Sequence, residues 1–200
     1  DQEWFSTLFG VFFIIGNMHT FLALMLVISV SVRTNFGIEE YITINRLHDL
    51  AKLVFAFSLL WAYMGYSQYL VIWYADLPEE TPYLVIRSME QPWALMFLLI
   101  MIAVFAILFL GLFPKTFCRI PNYIRVMGIW VVISQWFVIY LMVVPSLQDF
   151  GHYHVDMGLH ELLITLGFVG IFFLSYFTFL GKVPILPISD KHLCRSWQGH

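Results

Sequence analysis

An aspartate and a lysine three positions apart, Asp49 and Lys52, stand at the start of a long apolar segment that goes on to carry Tyr63, Ser67 and Tyr74. At 100° per residue, these five fall within about 60° of one line along a helix, together with Ala56, Leu60 and Leu70. A carboxylate, an amine, two phenols and a hydroxyl in a row have the chemistry of a proton relay through side chains and water. Polar groups inside apolar spans are costly, so such a stripe is a functional candidate. The same residues have a plainer reading. Asp49 and Lys52 near a helix end can snorkel and pair, and Tyr, Ser and small residues commonly hold helices together in membranes. The sequence leaves both readings open. His48 and Gln68 adjoin the stripe and are secondary candidates.

A second group lies at His160 and Glu161, which follow His152, His154 and Asp156. It reads equally as a proton entrance or exit and as an interfacial cluster in contact with water or a partner. The set lacks a catalytic zinc signature such as HExxH, and no metal is expected. Asn17 and His19 fall in the middle of the first apolar run. A b-type haem needs two axial histidines at similar depth, whereas His48 and His160 are expected on opposite sides of a membrane. Cys118 and Cys194 cannot by themselves ligate an iron–sulfur cluster, and no CxxCH motif is present. The chain is therefore expected to bind no redox centre. Ser134, Gln135 and Tyr140 are weaker candidates for an interior face.

The elements that must position these groups follow from composition. Of 200 residues, 60% are hydrophobic and 12% charged, and the mean hydropathy is +0.82. A soluble domain carries about 25% charged residues, so the bilayer is the solvent that suits this chain. No basic stripe with interleaved aromatics occurs, which excludes nucleic acid as a partner. Charge-free runs predict five transmembrane helices at about 4–32, 53–73, 92–113, 126–148 and 162–181. The expected fold is an all-α integral membrane protein, with a bundle over 1–181 and a polar tail over 182–200 that is extended on a partner or disordered.

Orientation follows from Lys and Arg. Arg33, Arg46, Lys52, Lys115, Arg119, Arg125, Lys182, Lys191 and Arg195 fall on one side, and Arg87 alone on the other. This bias predicts an outside N-terminus and a cytoplasmic C-terminus. Acidic residues (Asp76, Glu79, Glu80, Glu90, Asp149 and Asp156 among them) gather on the outer side, as do Trp4, Trp73, Tyr74, Tyr83, Trp93 and Tyr153. Both cysteines are then cytoplasmic and reduced. Asp1 opens the chain without a signal-peptide pattern, and more chain is expected before it.

One continuous signature runs through the second span: His48-Asp49-Leu50-Ala51-Lys52-Leu53, Phe55-Ala56-Phe57, Trp61-Ala62-Tyr63, Ser67-Gln68-Tyr69 and Trp73 to Thr81. It resembles the ActF-type subunit of bacterial alternative complex III, within the NrfD / polysulfide-reductase family of membrane subunits. The five-span layout and the tail, from Leu186-Pro187-Ile188 to His200, are similar too. Two departures stand out. Family members are about twice as long, so this chain looks like a C-terminal half, and Asp76 stands where the family pattern has Asn.

The resemblance implies a bacterial cytoplasmic (inner) membrane subunit of a respiratory oxidoreductase that passes electrons from quinol to cytochrome c or another acceptor. Haem c and iron–sulfur clusters would reside in partner subunits, and quinol in a paralogous membrane subunit. The role implied for this chain is a transmembrane proton path. Asp49, Lys52 and the Tyr63–Ser67 stripe match its cytoplasmic part, with His160 and Glu161 as the outer part. Two alternatives stand beside it. One is direct quinone binding, with His19 or Asp49 as proton acceptor. The other is a secondary transporter, against which no Gly/Pro-interrupted span is evident.

Overall fold

A computed structural model describes residues 6–78, 80–114, 117–147 and 158–183. The expectations for the tail beyond 183, for Cys194 and for His152, His154 and Asp156 lie outside these residues. The described chain is helical, without a strand. Five helices are long and apolar enough to cross a membrane: Thr7–Phe36, Ile44–Ala75, Trp93–Leu112, Pro121–Leu147 and Leu159–Leu180.

Helix α1 (Thr7–Phe36) ends on Gly37, which takes the left-handed conformation at φ 63° that glycine adopts without strain. It runs past the predicted residue 32 because Arg33 suits the last turn of a helix and reaches Glu39 at 3.5 Å. Helix α2 (Ile44–Ala75) begins well before residue 53. A charge-free run marks only the part of a helix with no charged side. His48, Asp49 and Lys52 belong to its first turns. Asp76 closes it at φ 45°, its N–H bonded to Ile72 O.

Residues 81–88, expected as loop, form a short helix α3 (Thr81–Ser88) started by Pro82. The third span is interrupted. Helix α4 (Trp93–Met101) passes into a π-helical segment, Ile102–Ile107, and resumes as α5 (Leu108–Leu112). The wider turn frees backbone carbonyls, and the Trp130 indole donates to that of Ala103 at 3.0 Å. A 3-10 turn, Phe117–Arg119, leads to α6 (Pro121–Val143), which ends in a second 3-10 turn, Val144–Leu147.

The chain divides into two compact units, residues 1–154 and 155–200. In the first, α1 packs against both α2 and α6. Gly128 makes the α1–α6 approach possible: a Cβ there would stand 2.7 Å from Val27 Cγ2 and 3.1 Å from the Ala23 carbonyl. Ala23, Leu26, Val30, Val54, Trp61 and Val131 fill the core. The outer surface is apolar, with Ile14, Phe21, Leu60, Leu99, Leu110 and Val126 exposed. A surface of that kind suits lipid and not water. The described part of the second unit is α7 (Leu159–Leu180), none of whose residues is buried.

Candidate functional site

The two faces of α2 divide the polar residues into two sets. Lys52 Nζ donates to Asp49 Oδ1 at 3.0 Å, and His48 Nδ1 stands 3.9 Å from the same oxygen. The Asp49 and Lys52 side chains are 72% and 59% exposed. Further along, Tyr63 is 64% and Tyr74 77% exposed, while Ser67 is half-buried. Tyr74 packs edge-on against Trp73 with ring centroids 5.5 Å apart. The stripe is therefore continuous, as the helical angles require, but within the first unit it lies on the outside of the helices and does not line their interior. His160 and Glu161 occupy the first turn of α7, His160 exposed and Glu161 half-buried.

The interior polar group is a different set. His19 of α1 is fully buried between Ser58 of α2 and Gln135 of α6. Its Nε2 is 2.9 Å from Ser58 Oγ and its Nδ1 3.2 Å from Gln135 Nε2. The Val54 carbonyl, 3.0 Å from Ser58 Oγ, can only accept, so the Ser58 proton points there. Ser58 Oγ then accepts from Nε2–H, and Nδ1 accepts from the Gln135 amide. Each of the three packed helices contributes one member, and both imidazole nitrogens are satisfied. This arrangement fastens helices together and leaves no imidazole nitrogen to meet a ligand.

Arg87 is the second interior feature. It is 4% exposed and bridges α3 to the end of α6. Its Nε donates to Leu141 O at 3.1 Å, and its Nη2 to Met142 O at 2.9 Å and to Ser146 Oγ at 2.6 Å. Its Nη1 donates to Tyr83 O at 2.8 Å, and the guanidinium carbon lies 3.7 Å from the centre of the Tyr83 ring. A cation on the last carbonyls of a helix opposes the negative end of its dipole. Burial pushes the Tyr83 phenol up, with Arg87 acting in the other direction.

Between α2, α3, the α4–π segment and α6 lies a cleft of about 750 Å3, with walls that are mainly apolar and aromatic. Gln68 stands in that wall, 8% exposed. Among the described residues no three His, Cys, Asp or Glu side chains converge on a metal position. Cys118 is buried, with its thiol 3.2 Å from Leu112 O, and burial pushes that thiol up.

Sequence reasoning singled out His19, Gln68 and Gln135 but not what surrounds them. Ser58 was missed, although α2 carries a visible signal for it: Ala51, Ser58 and Gly65 recur every seventh residue, a row of small side chains of the kind that lets helices approach closely. Comparison with known proteins adds no relative, since no family model and no curated protein matches this sequence.

Proposed function

We propose that this chain is a polytopic inner-membrane subunit of a larger respiratory assembly, in which the α2 stripe is covered by a neighbouring subunit and carries protons. The observation behind the reading is the placement of Asp49, Lys52, Tyr63, Ser67 and Tyr74 on the outside of an apolar bundle. A phenol such as Tyr63, about 16 Å along the helix axis from Lys52, cannot satisfy its hydroxyl in hydrocarbon. A protein surface facing it can, and water held between the two would join the side chains into a path. The interior His19 group is saturated locally, whereas the outer stripe keeps unused hydrogen-bonding capacity.

The respiratory assignment rests on the signature from His48 to Thr81, which resembles the ActF-type subunit of alternative complex III. On this reading the N-terminal side of α1 faces outward and the tail is cytoplasmic. Partner subunits hold haem c and iron–sulfur clusters, and a paralogous subunit oxidises quinol. His160 and Glu161 form the outer part of the path. A photocrosslinking residue in place of Tyr63 in native membranes tests the covering of the stripe. The expected product is a protein–protein adduct. Adducts to lipid alone would overturn the proposal.

A further inference from the structure

Asn17 puts an amide on the outside of α1, in a stretch without a charged residue from Trp4 to Val32. The helix is about 45 Å long and Asn17 stands about 15 Å from its start. A hydrocarbon core of about 30 Å centred on α1 therefore encloses it. One N–H of the amide donates to the Phe13 carbonyl at 3.0 Å. The Oδ1 and the second N–H have no partner among the described residues. Acyl chains supply none, and an unpaired amide in hydrocarbon carries a large desolvation penalty.

The surface around that amide has the form of a helix-packing seam. At 100° per residue, Gly10, Ile14, Phe21 and Leu24 lie within about 60° of Asn17. Gly10, Ile14, Asn17 and Phe21 are exposed, whereas the buried row, Ile15, His19, Leu22 and Leu26, lies on the opposite side of α1. From Gly10 to Leu24 the steps alternate between four and three residues, the repeat by which side chains of two helices interlock. Nothing lies within 4 Å of where a Cβ on Gly10 would stand, so a neighbouring backbone can approach closely there. Beside Asn17 a shallow notch, bordered by Phe13, Thr20, Ile139 and Met142, offers a seat for a side chain from a third helix. A second copy inserted the same way would set Gly10 against Gly10 and Phe21 against Phe21, tight at one end and wide at the other. A different helix, small opposite Phe21, fits the surface better.

We infer that this face of α1 docks a transmembrane helix of a partner subunit, and that a Ser, Thr, Asn or Gln side chain of that helix donates to Asn17 Oδ1. These are the uncharged side chains whose hydroxyl or amide supplies the missing donor and which hold helices together inside membranes. The inference needs only that α1 spans a membrane. It uses neither the α2 stripe nor proton transfer, and each can fail without the other.

The test places p-benzoylphenylalanine at Phe21, one turn along the same face, in the full chain in native membranes. Irradiation should join this chain to a membrane-spanning peptide of another subunit that carries Ser, Thr, Asn or Gln. The dependence on Asn17 is read after dilution in detergent, where the pairing is no longer saturated. Asn17→Leu should lower the adduct yield about 3- to 20-fold, as loss of one interhelical hydrogen bond in a membrane does, and Asn17→Gln should restore most of it. Gly10→Phe leaves the amide in place and fills the point of close approach, where this bundle has free space at the Cβ position. It should abolish the adduct, and it keeps the test decisive if Asn17→Leu does not fold. Adducts to lipid alone, adducts between two copies of this chain, a partner peptide without such a side chain, or undiminished yield in Gly10→Phe would each overturn the inference.

Discussion

Asp76 ends α2 in the left-handed region at φ 45°, a conformation in which Asn and Asp are the most tolerated residues after glycine. Asn, which the signature it resembles has at this position, would meet the same backbone requirement and differ only in charge. Arg87 is the single basic residue on the side expected to be outside, and its burial on the α6 terminus gives it a structural reason to be there. His19 and Ser58 make a direct prediction. Ser58→Ala leaves His19 Nε2 without its acceptor in a buried place, a loss of about 1–3 kcal/mol, read as a lower unfolding temperature in detergent. Cys118 makes another. Burial raises its thiol, so less thiolate exists at neutral pH, and alkylation should rise with pH through and beyond the range of an ordinary thiol. In native membranes it should react at least about tenfold more slowly than a cysteine placed at exposed Arg119. The topology is therefore better probed with Arg119→Cys in a Cys118→Ser background. Labelling only from the cytoplasmic side is expected, and labelling from outside intact cells would reverse the orientation.

At the scale of the element, helix periodicity and hydropathy made the five long helices legible, because a bilayer-length apolar run has few other structures open to it. Their ends were less legible. Charged residues continue α2 back to Ile44 and α7 back to Leu159, since a helix extends beyond its apolar part. The π segment at Ile102–Ile107 has no signal in an unbroken row of apolar side chains, because it depends on where Trp130 finds the Ala103 carbonyl. The stripe of α2 was readable as a row of residues, but its direction was not. Direction depends on which face holds the small residues, and Ala51, Ser58 and Gly65 place the packed face opposite Asp49. Gly128 marks a close approach of α1 and α6. Gly128→Val should force them apart at about 1–3 kcal/mol, seen as a lower unfolding temperature. Gly10, with nothing near its Cβ position, should accept Ala with little change.

At the scale of the whole molecule, the first unit has an apolar exterior and an ionisable stripe on the outer face of α2. The proposed function sets lipid over most of that surface and a partner over α2, and through the partner it links the exposed Asp49–Lys52 pair to a proton path. The most direct measurement is proton uptake or release by the intact assembly reconstituted in vesicles during quinol oxidation, with the electron-transfer rate followed in parallel. Asp49→Asn keeps the shape of the side chain and removes its titration. Assembly should persist while proton movement slows or uncouples from electron transfer, with Glu161→Gln giving the same effect from the outer end and Tyr63→Phe a milder one, because water can replace a lost hydroxyl in a wet path. Wild-type rate and wild-type coupling in both carboxylate variants would contradict the account and leave α2 as a surface for assembly alone.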